Sequence, residues 1–219
     1  MDSVGFAKMV SDKYTTDIPL FLGGESFGGC QTAMTAKYFQ DHPEEAPKNF
    51  DSSILVCPAI EGDIPPFPVY QILRFGLAPL FPEWAPFFMP DTVSPERIWR
   101  DSEVQEAYND PEKLKIGLGA VGEKFRLGTA VNLLLAIEEV RKGVPDFSTP
   151  FCIVHGDKDV AVPIGGSKYL LEGSATHASN KELHVIEGST HGILCDPKAE
   201  EAVQHLVNFC QVRMKKFSP

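Results

Sequence analysis

The pattern G-x-S-x-G at residues 24–28 constrains the fold of this chain more than any other feature of the sequence. It follows a short apolar run at residues 18–23 and precedes a helical pattern at residues 28–40. A strand, a tight turn and a helix in this order hold a serine hydroxyl above a sheet, beside a helix N-terminus that stabilises anions. We therefore predict that Ser26 is a nucleophile. The glycines two residues before and after it are needed because side chains there would collide.

Two other interpretations of this glycine-rich turn are open. The spacing of Gly24 and Gly29 also fits a phosphate-binding loop, but that loop requires Lys and Ser or Thr where this chain has Cys30 and Gln31. The second alternative is a structural glycine turn with an inert serine. In the nucleophile interpretation, Gly29 allows the following helix to pack closely against the strand.

Strand and helix patterns alternate along the rest of the chain. After the apolar run that precedes Ser26, which is typical of a strand buried on both faces, three more runs predict strands at 52–57, 150–155 and 182–187. Helices are predicted at 2–14, 28–40, 164–176 and after Asp196, which is the expected N-cap of the last helix. The alternation predicts an α/β fold, with a mostly parallel sheet and helices on both faces.

Residues 60–148 follow a different pattern. Their first part is rich in proline and aromatic residues, their second part is helical, and no good strand occurs in either. We therefore expect a helical cap insertion at 60–148, placed between two parts of one core at 1–59 and 149–219.

Polar residues that suit a catalytic triad follow the third and fourth predicted strands. His191 lies in a loop directly after the last strand, and Asp157 and Asp159 both follow the third strand. The carboxyl ends of parallel strands share one edge of a sheet, so these residues are expected beside Ser26. We predict His191 as the general base and Asp159 as the carboxylate that orients it, with Asp157 as the open alternative. The order Ser, Asp, His along the chain is the α/β-hydrolase order.

Composition narrows the range of partners. The net charge of −10 argues against a nucleic-acid partner and against electrostatic adhesion to anionic lipid. The 5 cysteines include no C-x-x-C pair, and the first 13 residues lack a signal-peptide pattern. These features lead us to expect reduced thiols and a cytoplasmic protein.

Three segments carry a family resemblance, namely residues 19–29, 154–159 and 187–192. They resemble the monoacylglycerol lipase and lysophospholipase group of α/β-hydrolases, and the plant caffeoylshikimate esterase-like members most of all. The resemblance implies hydrolysis of a small lipid ester by an acyl-enzyme mechanism, with the triad on Ser26, Asp159 and His191. It implies no metal and no organic cofactor. A phenylpropanoid ester or an acyl thioester remains an alternative substrate.

The proline-rich stretch that starts near Pro65 also resembles the beginning of that family's cap. Within it, Trp84, Phe87, Phe88 and Met89 are the candidate substrate-binding residues. They either line an acyl-chain tunnel and contact a membrane surface transiently, or pack the cap onto the core. In the first case the protein is peripheral to membranes.

The sequence departs from the family in one respect. Family members carry further residues before the point that corresponds to residue 1, with additional strands and a loop that donates to the oxyanion. In this chain the backbone N–H of Phe27 is the one oxyanion donor that can be assigned, and the strand before Ser26 is expected to have an open apolar edge. We expect the sequence to be incomplete. The alternative is a catalytically impaired fragment that acts as an interaction protein through that edge, and the oligomeric state is left open.

Overall fold

A four-stranded parallel sheet forms the centre of the computed structural model, which describes residues 2–14, 17–62, 64–89, 93–108, 110, 112 and 124–215. The strands are β1 (Leu20–Glu25), β2 (Phe50–Val56), β3 (Phe151–Gly156) and β4 (Lys181–Ile186), and they lie side by side in that order. Each lies within two residues of its predicted position. The predicted fold class, a partial α/β-hydrolase fold with a parallel sheet, is confirmed.

Helices precede the first strand and follow each of the four strands. They are α1 (Asp2–Lys13), α2 (Phe27–Asp41), α3 (Pro95–Ile98), α4 (Ser102–Tyr108), α5 (Leu127–Gly143), α6 (Ile164–Gly173) and α7 (Ala199–Met214). A continuous helical run precedes α3 and consists of Val69–Gln71, the π-helical Ile72–Leu77 and Ala78–Leu80. Short 3₁₀ turns occur at Val144–Asp146, Ala178–Asn180 and Ile193–Cys195.

The sheet is covered on both faces by apolar side chains. On one face α2, α5 and α6 pack against the middle strands through Cys30, Ala33, Ala36, Leu55, Ile137, Val140, Phe151, Ile153 and Leu170. On the other face α7 packs through Ala202 and Leu206 against Val56, Val154 and Ile186. The alternation of side chains along a strand explains why Ile153 and Val154 belong to different layers.

The first strand departs from its prediction. β1 pairs with β2 and lies at the edge of the described sheet, and none of its residues is fully buried. The prediction of a strand buried on both faces is therefore wrong for β1. The apolar run indicated a strand correctly, but burial depends on the elements packed around an edge, which the run itself does not encode.

The start of the last helix is also corrected. Asp196 is not its N-cap, because α7 begins at Ala199. The Asp196 carboxylate instead accepts the backbone N–H of Lys198 at 2.9 Å and an Arg100 guanidinium N–H at 3.1 Å. Asp196 thus closes the turn before α7 and binds Arg100, which lies within the 60–148 span.

The described residues of the 60–148 span contain helices and no strand, as the sequence pattern indicated. Ser94 lies at the N-cap position of α3, with Pro95 at its first turn. None of the helices in the described part of the chain has the length and apolar character that crossing a bilayer requires. The boundaries of the cap insertion remain a prediction.

A buried ion pair joins the end of α7 to the start of β2. Arg213 donates through Nε and Nη2 to the two carboxylate oxygens of Asp51 at 2.6 and 2.7 Å, and both side chains are at most 10% exposed. We expect Arg213→Met to lower the free energy of unfolding by about 3–5 kcal/mol, because it leaves a buried carboxylate unpaired. Urea unfolding measures this change.

Lys168→Met is the matched control, since Lys168 is exposed on α6. It should change the free energy of unfolding by less than about 0.5 kcal/mol. A loss of similar size in both variants would contradict a specific contribution from the Arg213–Asp51 pair.

Candidate active site

Ser26 occupies a strained turn between β1 and α2. Its backbone angles are φ 56° and ψ −123°, in a region that residues with a Cβ rarely adopt. The surrounding backbone holds this conformation. The N–H of Ser26 donates to the Val56 carbonyl at 2.9 Å, and its own carbonyl accepts the N–H groups of Gly29 and Ala59 at 3.0 and 2.9 Å. The turn therefore has the form of a nucleophile elbow, fixed from both β2 and α2.

The glycines around Ser26 are not equivalent. A Cβ at Gly24 would overlap the Gly28 carbonyl, and a Cβ at Gly29 would lie 2.7 Å from Cβ of Pro58. A Cβ at Gly28 would meet no described atom within 4 Å. The collision predicted for Gly28 is therefore wrong, because this position borders an open groove beside β1. The close approach that needs Gly29 is made to the loop after β2.

Phe27, the predicted oxyanion donor, is the first residue of α2. The N–H groups of a first helical turn have no acceptor within the helix, so they are available to an anion. Phe27 also lines the cavity that Ser26 lines. The role of its backbone N–H as an oxyanion donor remains a prediction.

His191 and Asp159 are hydrogen-bonded to each other. The distance between His191 Nδ1 and Asp159 Oδ2 is 2.7 Å, and the side chains are 6% and 0% exposed. The other carboxylate oxygen of Asp159 accepts the backbone N–H groups of Ala161 and Val162 at 2.9 and 2.8 Å. Because a carboxylate only accepts, Nδ1 of His191 carries the hydrogen and Nε2 remains for a substrate or for Ser26.

Ser26 and His191 line the same cavity, although no hydrogen bond joins them in the part of the chain that the structure describes. Catalytic hydrogen bonds are often long without substrate and shorten when it binds. The arrangement is therefore compatible with a serine–histidine pair.

The two candidate aspartates have different surroundings. Burial by itself raises the pKa of Asp159, but hydrogen bonds from His155 and His191 outweigh it and hold this pKa well below its ordinary value. The exposed Asp157 accepts the backbone N–H of Gly188 and pairs with Lys158, and these contacts lower its pKa. The structure thus brings Asp159 to the histidine and leaves Asp157 at the surface.

The residues around α3 hold the loop that carries His191. The Ile98 carbonyl accepts the Thr190 hydroxyl at 2.9 Å and the Gly192 N–H at 2.7 Å, so it binds the loop on both sides of the histidine. Arg100 donates to the Gly188 carbonyl at 3.0 Å. No sequence pattern indicates these contacts, because they join segments that lie far apart along the chain.

An apolar cavity of about 210 Å³ lies between the core and the 60–148 span. Its polar lining consists of Ser26, Glu61, Tyr70 and His191, and most of the remaining wall is apolar: Phe27, Leu73, Met89, Val93, Leu127, Val131, Leu134, Ile137 and Val162. A cavity with apolar walls and a few convergent polar groups is typical of a site for a small apolar ligand.

The predicted substrate-binding residues divide into two groups. Met89 lines the cavity, whereas Trp84, Phe87 and Phe88 do not, and their exposed fractions are 42%, 85% and 52%. These three form an aromatic cluster on the surface, with Phe88 in edge contact with both of the others. The apolar residues of α5 recur at helical spacing, but no prediction assigned them to the cavity wall that they form.

Comparison with known proteins links this geometry to a family. Residues 1–198 match the family described as Hydrolase_4, "Serine aminopeptidase, S33". The chain is 31% identical over 98% of its length to caffeoylshikimate esterase of Arabidopsis thaliana, and 25% identical over 88% of its length to monoglyceride lipase of Mus musculus. It spans 62% and 58% of the lengths of these two relatives.

Solved structures show the same fold. A monoacylglycerol lipase of Paleococcus ferrophilus superposes with a TM-score of 0.72 at 17% identity, covering 96% of this chain and 74% of that one. A soluble variant of the Saccharomyces cerevisiae monoglyceride lipase superposes with a TM-score of 0.71 at 18% identity, covering 100% of this chain and 68% of that one. At these identities the likeness concerns the fold.

Proposed function

This chain belongs to the Hydrolase_4 family of serine hydrolases, and we propose that it cleaves carboxylic esters through an acyl-enzyme formed on Ser26. The observation that carries the proposal is the hydrogen bond between Asp159 and His191 at the wall of the apolar cavity that Ser26 also lines. Ser26, Asp159 and His191 follow three strand ends, and a serine, a carboxylate and a histidine are the groups that a catalytic triad needs.

The reaction proceeds in two halves. His191 Nε2 takes the hydroxyl proton as Ser26 Oγ attacks the ester carbonyl, and the backbone N–H of Phe27 stabilises the resulting oxyanion. His191 then protonates the leaving alcohol. Water, deprotonated by the same histidine, attacks the acyl-enzyme, and His191 returns that proton to Ser26 Oγ as the acid leaves. Asp159 fixes the histidine tautomer and stabilises the imidazolium in both halves.

The substrate in this proposal is a lipid ester of the monoacylglycerol or lysophospholipid type. Support comes from the apolar wall that Leu73, Leu127 and Val131 give to the cavity, which suits an acyl chain better than a charged group. The relatives called monoglyceride lipase and caffeoylshikimate esterase also bear names of ester-cleaving enzymes. In this proposal, residues 60–148 form the cap that covers the acyl chain of the substrate.

The surface cluster of Trp84, Phe87 and Phe88 is the part of this cap that contacts a lipid surface transiently. Large exposed aromatic groups that lie together mark interaction surfaces. Because the net charge is −10, this contact depends on apolar insertion rather than on attraction to anionic headgroups.

Labelling with a fluorophosphonate probe tests the proposed function. We expect the folded protein to form one covalent adduct, and peptide mass spectrometry to locate it on Ser26, whereas heat-denatured protein stays unlabelled. A parallel panel of long-chain monoacylglycerol, lysophospholipid and caffeoyl ester should show preference for the long-chain esters. Folded protein that stays unlabelled, or an adduct on another residue, would overturn the proposal.

A further inference from the structure

His155 lies at the end of β3, fully buried, on the side of the sheet that faces α6. Its Nε2 is 3.1 Å from the Val162 carbonyl oxygen and 3.2 Å from Asp159 Oδ2. Its Nδ1 is 2.8 Å from the Ser167 hydroxyl. A second histidine thus contacts the carboxylate that holds His191.

The neighbours of His155 determine where its hydrogen is. A carbonyl oxygen and a carboxylate oxygen both only accept, so the Nε2 that faces them carries a hydrogen. The Ser167 hydroxyl rotates and donates to Nδ1 of the neutral ring. Ser167, itself fully buried on α6, thus supports the tautomer that the two acceptors at Nε2 select.

We propose that His155 is a positioning residue for Asp159: its Nε2–H is shared between the Val162 carbonyl oxygen and the Asp159 oxygen that also receives the N–H of His191. This inference rests on the proposed function, in which Asp159 orients the base. With the backbone N–H groups of Ala161 and Val162 on the other oxygen, the carboxylate has donors on both oxygens and cannot rotate freely.

Among the described residues, Glu25 and Cys57 are further ionisable groups near the Asp159–His191 pair. Partial burial raises the pKa of Glu25, and the neighbouring His191 opposes that rise. Burial, together with the negative charges of Asp159 and Glu25, raises the pKa of the Cys57 thiol well above its ordinary range. Cys57 therefore stays neutral, and the two histidines are the groups that offset the charge of Asp159.

Loss of the His155 donor should affect both rate and pH dependence. Without this donor, the negative charge of Asp159 stabilises the protonated form of His191 more strongly. The acid limb of the kcat/KM profile should therefore move to higher pH, by about 0.5. The carboxylate also loses one constraint, and kcat should fall roughly 10- to 100-fold with little change in KM.

The experiment compares His155→Leu with His155→Gln. The amide nitrogen of glutamine reaches about where Nε2 of histidine lies and keeps a donor, so His155→Gln should retain activity within about threefold and keep the wild-type profile. His155→Leu should show both changes. A leucine variant with wild-type kcat and profile, or a glutamine variant as impaired as the leucine variant, would overturn the proposal.

Ser167→Ala is the second variant, chosen because it removes one hydroxyl and changes the packing little. It should shift the acid limb in the same direction as His155→Leu, by a smaller amount. Ser174→Ala, another buried serine that follows α6, is its matched control and should keep the wild-type profile. His184→Leu, on β4 away from Asp159, controls for loss of a histidine.

A measurement without turnover separates this proposal from the proposed function. The ¹⁵N shifts of the His155 ring should show a protonated Nε2 and an unprotonated Nδ1 in the wild type. An unprotonated Nε2 would overturn the positioning role even in a chain that the fluorophosphonate labels. If Nε2 is protonated but the fluorophosphonate does not label the protein, the proposed function fails while the contact between His155 and Asp159 stands.

Discussion

Replacing Ser26 with alanine is expected to lower kcat about 10⁶-fold and to abolish labelling by the fluorophosphonate. The attacking oxygen is removed, so no acyl-enzyme forms, and the residual rate depends on binding and oxyanion stabilisation alone. The variant should fold, because alanine and serine both carry a Cβ and meet the same strain at φ 56°. Hydrolysis of a chromogenic ester measures the loss, and circular dichroism confirms the fold.

Ser53→Ala is the matched control for this experiment. Ser53 is fully buried in β2, and its hydroxyl has no hydrogen-bond partner among the described residues. Its replacement should leave the rate at the wild-type level. Labelling of the Ser26 variant at wild-type intensity would assign the nucleophile to a different side chain.

The placement of the candidate triad followed from the sequence because topology constrains it strongly. Ser26, Asp159 and His191 each come directly after an apolar run, and the runs are parallel strands whose carboxyl ends share one edge. Side-chain type and position relative to a strand are both readable in the sequence. Because all three residues follow parallel strands, their common edge of the sheet could be predicted without knowledge of any contact.

Contacts between distant segments were not predictable in the same way. The contact between His155 and Asp159 depends on the direction in which β3 ends. The hydrogen bond from the Thr190 hydroxyl to the Ile98 carbonyl joins residues about 90 positions apart. The pattern at 150–155 predicts a strand that includes His155, but it does not indicate this contact. Such contacts depend on tertiary packing, for which hydrophobic periodicity has no signal.

The surface aromatic residues show the same limit. Trp84, Phe87 and Phe88 have the composition of an apolar lining, yet they lie outside the cavity, and Met89 alone among the four reaches it. Local sequence indicates that a segment is apolar. Whether it faces a cavity or the solvent depends on the helix that packs opposite, which in this protein is α5.

Asp159→Asn is expected to lower kcat about 10⁴-fold, the second largest effect. The low pKa of Asp159 keeps its carboxylate ionised throughout the neutral range, where it accepts Nδ1–H of His191 and stabilises the imidazolium. An asparagine amide that donates to Nδ1 selects the opposite tautomer and places a hydrogen on Nε2, where the base needs a lone pair. Because acylation then lacks its base, the loss should appear in kcat/KM and in the rate of labelling alike.

Asp157→Asn is the control that separates the two aspartates of this loop. Asp157 lies at the surface and its carboxylate accepts from the Gly188 backbone and Lys158, so its replacement weakens one exposed turn. The rate should stay within about threefold of the wild type, since surface changes of this kind cost about 0.5 kcal/mol or less. The opposite result, a large loss for Asp157→Asn with a small one for Asp159→Asn, would assign the orienting carboxylate to Asp157. In that case the hydrogen bond at 2.7 Å between Asp159 and His191 would have a structural role only.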